Sequence, residues 1–323
     1  MSSEEQAQAV KGAIREAREA VSRVVIGQET AIEMCLITIF SGGHALIEGV
    51  PGVGKTLLVR AIARAFGAAS NRIQFTPDLM PSDITGTSVF NLKTREFDLV
   101  RGPVFSTFLL ADEINRAQAK TQAALLQAMQ ERQVSIDGVT HELSRNFTVF
   151  ATQNPIEFEG TYPLPEAQRD RFLMKVTMSY PDSDRESELL HLADQGREPD
   201  RDIAGLIPAP VMDEGRLEQV KAGLKSIGIT PELVQYITSL VTSTRKAPSI
   251  LLGASPRAAL SILYASKATA ALRDRDFVTP DDIQSMFRPA LEHRIVLRPE
   301  YEIDGLTVPD VLDQILKSCP VPR

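Results

Sequence analysis

One octapeptide constrains the fold more than any other part of this sequence: residues 49–56 read Gly-Val-Pro-Gly-Val-Gly-Lys-Thr. The pattern matches G-x-x-x-x-G-K-[ST], a loop that holds the phosphates of ATP or GTP between a strand and a helix. An apolar run at residues 44–48 precedes it, and residues 57–66 have the apolar spacing of a helix. The sequence therefore predicts a nucleotide-binding α/β domain, in which Lys55 reaches the β- and γ-phosphates and Thr56 offers its hydroxyl to Mg²⁺.

The composition is that of a globular protein large enough for two domains. The chain has 323 residues, of which 43% are hydrophobic and 24% are charged. A net charge of −7 argues against extensive nucleic-acid binding, and the two distant cysteines form neither a disulfide framework nor a zinc motif. Residues 1–9 are polar and acidic, unlike a signal peptide, and no apolar run is long enough to span a membrane. We therefore expect a cytoplasmic protein without a membrane segment.

Apolar runs predict a parallel sheet of five strands with helices on both faces. The runs are continuous where a strand is buried on both sides, and they lie at residues 44–48, 72–76, 107–113, 147–152 and 173–179. Two insertions interrupt this pattern. Residues 77–103 read as a hairpin or a helix-and-loop excursion, and residues 132–145 as a hairpin that turns at Asp137-Gly138. Helical spacing is found at residues 29–40, 55–66, 115–130 and 164–171.

The composition changes after the fifth strand, and it divides the chain into three parts. Residues 1–182 are predicted to be the α/β core. Residues 183–212 are predicted to be a connecting helix and a linker, because three prolines fall between residues 198 and 210. Residues 213–323 contain only helical patterns, so we expect a second, all-helical domain.

Two adjacent carboxylates, Asp112 and Glu113, end the third predicted strand. The carboxyl ends of parallel strands form the edge where the phosphate loop must lie. Because neighbouring strand residues face opposite sides, we expect Asp112 to join the Mg²⁺ shell and Glu113 to polarise an attacking water. A Glu after the Asp favours hydrolysis over transfer to a small acceptor. The alternative is that the pair begins the next helix, where acids interact favourably with the helix dipole.

Four further polar residues are candidates for phosphate chemistry. Asn154 follows the fourth strand and could hold the attacking water or bind the γ-phosphate, although Asn-Pro is also a common turn. Arg169 and Arg171 flank Asp170 before the fifth strand, and either could reach a neighbouring subunit's nucleotide or form a surface ion pair. Arg257 begins a helix of residues 213–323 and could close that domain over the nucleotide.

Six motifs together closely resemble the MoxR group of AAA+ ATPases, and the resemblance covers nearly the whole chain from about residue 21. They are the phosphate loop, Val-Ile-Gly-Gln at 25–28, Leu-Leu-Ala-Asp-Glu-Ile-Asn-Arg at 109–116, Ala-Thr-Gln-Asn-Pro at 151–155, Leu-Pro-Glu-Ala-Gln-Arg-Asp-Arg-Phe at 164–172, and Gly-Ala-Ser-Pro-Arg at 253–257.

The resemblance implies an AAA+ core with a C-terminal helical lid, and it implies roles for individual residues. Walker A is the loop at 49–56, Walker B is 109–113, sensor 1 is Asn154 and sensor 2 is Arg257. Arg171 matches the family's arginine finger, but Arg169 replaces a residue that is often apolar in relatives, so the assignment stays open between the two. The residues assigned to nucleotide binding are Ile26, Gly27, Gly49, Pro51, Gly52, Val53, Gly54, Lys55, Thr56, Leu57 and Arg257. Catalysis is assigned to Lys55, Glu113, Asn154, Arg169 and Arg171, and Mg²⁺ binding to Thr56 and Asp112.

The function implied by the resemblance is that of a ring motor. Members form homo-oligomeric rings, here a hexamer, and hydrolyse ATP to ADP and phosphate. Their work is chaperone-like: maturation, metal-cofactor insertion or assembly of protein complexes, usually with a partner that carries a von Willebrand factor A domain. In ring-forming relatives the insertions at 77–103 and 132–145 line the central opening, where they would act on a protein client.

Two other functions are weighed against this one. A DNA-remodelling motor predicts clusters of Lys and Arg in the insertions, whereas the charges there are mixed in sign, so a nucleic-acid partner is not expected. A nucleotide-switched scaffold with little turnover would not need the full set of Lys55, Thr56, Asp112 and Glu113, which is intact in this chain.

Overall fold

Five parallel strands form the centre of the molecule in this computed structural model, which describes residues 3–154 and 160–322. The strands are β1 (Ala45–Gly49), β2 (Ser70–Gln74), β3 (Gly86–Asn91), β4 (Glu96–Arg101), β5 (Phe108–Asp112), β6 (Gln133–Ile136), β7 (Val139–Glu142), β8 (Thr148–Gln153), β9 (Met174–Met178), β10 (Ile250–Leu252) and β11 (Val296–Leu297). The central sheet has the order β2-β5-β8-β1-β9, and every pair in it is parallel. The predicted five-stranded parallel sheet is confirmed.

The helices cover this sheet and continue beyond it. They are α1 (Ser3–Ser22), α2 (Glu29–Phe40), α3 (Lys55–Ala65), α4 (Pro81–Thr85), α5 (Ala119–Glu131), α6 (Glu166–Arg169), α7 (Ser183–Asp194), α8 (Ile203–Leu206), α9 (Glu214–Leu224), α10 (Pro231–Lys246), α11 (Pro256–Leu272), α12 (Pro280–Leu291), α13 (Pro299–Ile303) and α14 (Val308–Ser318). None of the helices within residues 3–154 and 160–322 is long and apolar enough to cross a membrane.

Both faces of the sheet are buried, which explains the continuous apolar run of β5. Phe108 and Leu110 point into a cluster that includes α1, α2 and α3. Leu109 and Ala111 point to the other face, where they pack in a cluster with Leu125 and other apolar residues of α5. Alternate residues of one strand thus fill two cores, so neither face carries a polar stripe.

The first predicted insertion is a short helix, α4, followed by an antiparallel hairpin of β3 and β4. The hairpin needs glycine at its base: Gly86 has φ +98°, and a Cβ there would lie 2.3 Å from the carbonyl oxygen of Val100. The second insertion is the hairpin β6–β7, with Asp137 and Gly138 both at positive φ in its turn. Both insertions match the sequence prediction, because turns of this kind depend on local residue chemistry.

Several element boundaries differ from the prediction. The helix predicted at 115–130 is a 3₁₀ turn (Ile114–Arg116) followed by α5, since Gln118 has extended backbone between them. The helix predicted at 164–171 is the shorter α6, and Pro165 is its N-cap. The expectation of only helices after residue 213 is wrong, because β10 and β11 form a small antiparallel pair there. Strands of two or three residues are too short to produce a readable periodicity.

The helices after residue 213 share a hydrophobic core with the sheet. Leu217 and Val220 of α9 and Ile262 of α11 belong to the same buried cluster as Ile14 of α1. A Cβ on Gly223 would lie 2.5 Å from Cγ2 of Val10, so α9 and α1 approach closely. The helical part therefore packs on the sheet through α1 and α2.

Candidate functional site

The phosphate loop lies between β1 and α3, as predicted. Gly52 (φ +86°) and Gly54 (φ +88°) adopt left-handed backbone conformations that side chains disfavour. Nζ of Lys55 donates a 2.7 Å hydrogen bond to the carbonyl oxygen of Gly49, which places the ammonium group across the loop. The N-terminus of α3 follows immediately, and its free N–H groups favour an anion.

Gly49 marks a close approach of two strands. It pairs with Met178 at the end of β9, and a Cβ on Gly49 would lie 2.5 Å from the Met178 carbonyl oxygen. Only glycine therefore allows β1 to run into the loop at this spacing. Val53, within the loop, is buried.

The segment with Ile26 and Gly27 reaches the same edge of the sheet. Nε2 of Gln28 donates a 2.8 Å hydrogen bond to the carbonyl oxygen of Ser179, just after β9. A Cβ on Gly27 would lie 2.8 Å from Cβ of Pro181. Ile26 and Gly27 thus lie beside the strand that adjoins β1, but they do not line the cavity described below, and their predicted contact with nucleotide stays a prediction.

Asp112 is the last residue of β5 and is almost fully buried. Its Oδ1 accepts a 2.5 Å hydrogen bond from the hydroxyl of Thr152. Its Oδ2 lies 2.7 Å from Nη2 of Arg72, which forms an ion pair with it. The carboxylate is therefore fixed in orientation by residues of the two neighbouring strands.

Glu113 departs from the expected geometry. The strand ends before it, and Glu113 has φ +55° and ψ +50°, so strand alternation does not set the direction of its side chain. Its Oε2 accepts hydrogen bonds from Gln74 at 2.7 Å and pairs with Arg116 at 2.9 Å. Its N–H donates to the Thr152 hydroxyl at 2.9 Å. Glu113 is directed towards β2 by this combination of a left-handed backbone and two donors.

A cavity of about 470 Å³ lies at this edge of the sheet. The predicted site residues that line it are Pro51, Gly52, Gly54, Lys55, Thr56, Leu57, Asp112, Glu113 and Asn154. The first six come from the phosphate loop and α3, and the last three follow from the strand order, which places β5 and β8 beside β1. Residues far apart in sequence thus converge on one cavity, as expected for the carboxyl edge of a parallel sheet.

Arg72, Gln74 and Asp200 also line the cavity, and Thr152 lies behind it; sequence reasoning singled out none of these four. Arg72 and Gln74 are two apart on β2, so they share a face, and Gln74 is in register with Asp112. The spacing of two residues within a predicted strand is the sequence signal that could have identified Arg72 and Gln74. Asp200 comes from the segment after α7 and pairs with Arg60 of α3 at 2.6 Å. The connecting segment therefore contributes to the cavity, whereas residues 213–323 contribute none of its lining.

Arg169 and Arg171 lie outside that cavity. Arg169 pairs with Glu166 at 3.5 Å and lines a neighbouring cavity of about 350 Å³, which shares Asn154 with the first. Asp170, between the two arginines, accepts a 2.9 Å hydrogen bond from the hydroxyl of Ser255 and pairs with Arg294 at 2.9 Å. The candidate finger segment is thus attached to the helical part of the chain.

Arg257 is exposed and lies two residues beyond Ser255, at the first turn of α11. The contact between Ser255 and Asp170 places Arg257 near the segment that carries Arg169 and Arg171. It is not part of the lining of the phosphate-loop cavity. The predicted closure of Arg257 over its own nucleotide is therefore not the arrangement in this structure, and its role as a phosphate contact stays a prediction.

An ion triad connects the helical part to the strand before the phosphate loop. Lys175 of β9 pairs with Glu48 of β1 and, at 3.0 Å, with Glu292 at the end of α12. Burial lowers the pKa of Lys175, but the two carboxylates outweigh this effect and raise it above its ordinary value. For Glu292 burial acts to raise the pKa, and Lys175 and Arg288 bring it below the ordinary value.

The oxygen donors near the phosphate loop fit Mg²⁺. The Thr56 hydroxyl and the Asp112 carboxylate are hard oxygen ligands of the type that Mg²⁺ uses beside phosphates. Elsewhere in the described residues, no group of three or more His, Cys, Asp or Glu side chains could hold a metal ion.

Comparisons with known proteins agree with this geometry. The family profile described as "ATPase family associated with various cellular activities (AAA)" matches residues 44–174, and the "AAA lid domain" profile matches residues 242–315. Chaperone MoxR1 of Mycobacterium tuberculosis is 42% identical over 94% of this chain and 81% of its own length. Protein MoxR of Methylorubrum extorquens is 34% identical over 94% of this chain and 93% of its own length. A crystal structure of a candidate ATPase from Cytophaga hutchinsonii superimposes with a TM-score of 0.91 and 40% identity, and the match covers 99% of this chain and 98% of that one.

Proposed function

Because this chain belongs to the MoxR family of AAA+ ATPases, we propose that it is a ring-forming, chaperone-like motor that hydrolyses ATP to ADP and phosphate. The observation that carries the proposal is the convergence of Lys55, Asp112, Glu113 and Asn154 on one cavity of about 470 Å³. A phosphate-holding loop, a carboxylate for a metal ion and a carboxylate for a water molecule are the parts that nucleotide hydrolysis needs.

The loop and α3 would hold the triphosphate. The N–H groups after Gly52 and the ammonium of Lys55 supply positive charge to the β- and γ-phosphates. Thr56 and Asp112 would hold Mg²⁺, which when bound neutralises phosphate charge. Arg72 and Thr152 keep the Asp112 carboxylate oriented for this purpose.

Hydrolysis requires a water oxygen to attack the γ-phosphorus while the bond from that phosphorus to the ADP oxygen breaks. Glu113 would accept the proton that the water loses, as a carboxylate held by Gln74 and Arg116 within the cavity. Asn154, an uncharged donor and acceptor, would orient the water or hydrogen-bond the γ-phosphate.

The arginines suggest that the complete site is shared between subunits. Arg169, Arg171 and Arg257 lie around Asp170 and Ser255 and outside their own phosphate-loop cavity. We propose that this surface faces the nucleotide of the next subunit in a homohexameric ring, where Arg171, or Arg169 in its place, stabilises the transition-state charge.

The insertion hairpin is the proposed contact with a protein client. Phe90 and Phe97 stack edge to face at 5.3 Å, and Phe97 is 72% exposed. Leu92, at the tip, is 84% exposed. Exposed apolar side chains of this size mark interaction surfaces. The work proposed is maturation, metal-cofactor insertion or assembly of a protein complex in the cytoplasm, together with a von Willebrand factor A domain protein.

ATPase rate per protomer, measured against protein concentration, tests the shared site. We expect the rate to rise with concentration as rings assemble. Arg171→Ala should lower turnover without loss of ATP binding, and Arg298→Ala, which alters an exposed arginine of the helical part, should not. A mixture of Arg171→Ala with the inactive Glu113→Gln should regain activity, because some interfaces then pair an intact Glu113 with an intact Arg171.

Three results together would contradict the shared site: a rate independent of concentration, no effect of Arg171→Ala, and no effect of Arg169→Ala. The nucleotide-switched scaffold would then explain the protein better. If only Arg169→Ala lowers turnover, the finger is Arg169 and the shared site stands.

A further inference from the structure

A third cavity, of about 370 Å³, lies at the end of the sheet opposite the phosphate loop. One wall is the turn at Ser41 and Gly42, which precedes β1, together with Arg132 and Arg145, which flank the β6–β7 hairpin. The other wall is formed by α9 and α11 of the helical part. The cavity is therefore a junction between the sheet domain and the helical part, separate from the proposed hydrolytic site.

Positive charge dominates this junction cavity. Five of its lining residues are cations: Arg132, Arg145, Lys221, Lys225 and Lys267. No carboxylate lines the cavity, and within the described chain none of the five forms an ion pair with an acid. Such a concentration is unusual in a chain whose net charge is −7. Five like charges around one cavity repel each other, and an anion placed between them relieves that repulsion.

The cations retain donors for a ligand. Lys221 donates a 2.8 Å hydrogen bond to Asn146 Oδ1, Arg132 donates to the Gly42 carbonyl oxygen, and Lys267 donates to the Lys225 carbonyl oxygen. Each bond uses one donor of a group that has three (Lys) or five (Arg). The bonds fix the positions of the charged groups and leave their remaining N–H groups available.

Two further observations favour the binding of an anion in the junction cavity. The hydroxyl oxygen of Ser41 is shielded from solvent, yet it has no hydrogen-bond partner among residues 3–154 and 160–322. Burial, and then the charge of Arg132, lowers the pKa of Lys221 to about 8, although Glu218 one turn earlier on α9 acts in the opposite direction. A buried hydroxyl without a partner and an ammonium held among like charges both raise the free energy of the protein.

The rest of the lining is apolar and partly aromatic. Leu224 and Phe40 are buried, Leu263 is half-buried and Tyr264 is 49% exposed. This combination of convergent cations and an apolar wall is typical of sites for phosphorylated small molecules, and a cavity of 370 Å³ is within the size range of such sites.

We propose that the junction cavity binds a di- or triphosphate group, either as a free inorganic anion or as part of a nucleotide whose base lies on Tyr264. A polyphosphate carries several negative charges within a few ångströms, which matches five cations around one small space better than a single carboxylate does. Because the cations come from both walls, the bound anion would connect the sheet domain to the helical part and stabilise their arrangement.

Calorimetric titration of the full-length Lys55→Ala variant with inorganic tripolyphosphate, without Mg²⁺ and at low salt, tests the proposal. Because Lys55→Ala weakens anion binding by the phosphate loop, the heat of binding comes mainly from the junction cavity. We expect one binding site and a raised thermal unfolding temperature. Adding Lys221→Gln and Lys267→Gln should weaken binding about tenfold or more, since two of the five positive charges around the anion are lost.

Matched controls separate the junction cavity from general charge effects. Lys246→Gln with Lys317→Gln removes two exposed lysines outside the cavity and should leave affinity unchanged. If the first pair proves unfolded in a melting experiment, Arg145→Gln with Lys225→Gln removes two exposed cations of the cavity and should weaken binding similarly. The proposal would be overturned if the control and cavity variants lost the same amount of tripolyphosphate affinity. It would also be overturned if no binding occurred at about 1 mM tripolyphosphate.

ADP distinguishes the two sources of the anion. If Tyr264→Ala weakens ADP binding but not tripolyphosphate binding, the ligand is a nucleotide. If Tyr264→Ala affects neither and ADP binds no better than tripolyphosphate, the phosphate group alone is recognised. Because these titrations measure binding and not turnover, their failure would leave the proposed ATPase function untouched.

Discussion

The hydroxyl of Thr152 donates a 2.5 Å hydrogen bond to Oδ1 of Asp112. The hydroxyl oxygen of Thr152 also accepts a 2.9 Å hydrogen bond from the N–H of Glu113, and the Thr152 side chain is fully buried. One residue of β8 thus positions both acidic residues at the end of β5. Its effect on Glu113 acts through the backbone, at the point where that backbone turns into the left-handed region.

Thr152→Val keeps the shape of the side chain and removes both hydrogen bonds. We expect a lower kcat with ATP affinity largely retained, because the two carboxylates lose their orientation while the phosphate loop is unchanged. The unpaired Glu113 N–H should also cost about 1–3 kcal/mol of unfolding free energy. Steady-state ATPase kinetics and urea unfolding measure the two effects.

Thr148→Val is the matched control, since Thr148 is a fully buried threonine of the same strand whose hydroxyl donates to the Asn146 carbonyl oxygen at the other end of the sheet. It should lower stability without a specific loss of kcat. Similar kcat values for the two variants would show that Thr152 has no positioning role.

Lys175→Met should destabilise the protein at neutral pH by about 3 kcal/mol or more, because it removes the cation that Glu48 and Glu292 share, and Glu292 keeps its pair with Arg288. The side chain of Lys175 is only 16% exposed, so solvent compensates little. Urea unfolding should show partial recovery as the pH falls towards 5, since the carboxylates then accept protons.

Adding Glu48→Gln to Lys175→Met should restore part of the lost stability, because one of the two charges is removed. If the double variant is as unstable as the single one at every pH, the triad does not act through charge.

Because His44 is buried, we expect the protein to lose stability in mild acid. Its Nδ1 accepts a 3.0 Å hydrogen bond from the N–H of Val149, and burial lowers its pKa from 6.5 to about 4. The unfolded chain takes up a proton near pH 6.5, whereas the folded protein resists protonation down to about pH 4. The free energy of unfolding should therefore fall by about 2 kcal/mol for this residue between pH 7 and pH 5.

Urea unfolding at the two pH values, repeated on His44→Asn, isolates this contribution, because the Asn oxygen can still accept from Val149. The free energy of unfolding should decrease less in the variant between pH 7 and pH 5, by the roughly 2 kcal/mol assigned to His44. An equal decrease in both proteins would assign the acid sensitivity to other groups.

Gly49→Ala should lower both stability and nucleotide affinity. The added Cβ would lie 2.5 Å from the Met178 carbonyl oxygen, so β1 must shift away from β9 at the start of the phosphate loop. We expect a loss of about 1–3 kcal/mol, measured by thermal unfolding and by titration with a non-hydrolysable ATP analogue. Gly12→Ala in α1 meets nothing within 4 Å and should instead stabilise by about 0.5–1 kcal/mol. Unchanged affinity in Gly49→Ala would show that the loop tolerates the shift.

Much of the candidate site could be predicted from local sequence. Gly52, Gly54 and Lys55 form their loop through neighbouring residues alone, and the strands were readable because β5 and β8 are buried on both faces. Pro155, part of the sequence motif after Asn154, lies outside the described residues. The prediction failed for β10 and β11, which are too short for a periodic pattern and depend on pairing with each other.

The sequence by itself determined the class of fold, the phosphate loop and the order of the acidic residues after it, because these depend on residue types at short, fixed spacings. Only the tertiary structure decided the partners of those residues. Arg72, Gln74 and Thr152 reach Asp112 and Glu113 through strand register, and Arg257 lies beside Asp170 through the packing of α11. The five cations of the junction cavity converge for the same reason. The contacts to Asp112 and Glu113 join residues 39 or more positions apart, so they follow from the folded arrangement and from no local pattern.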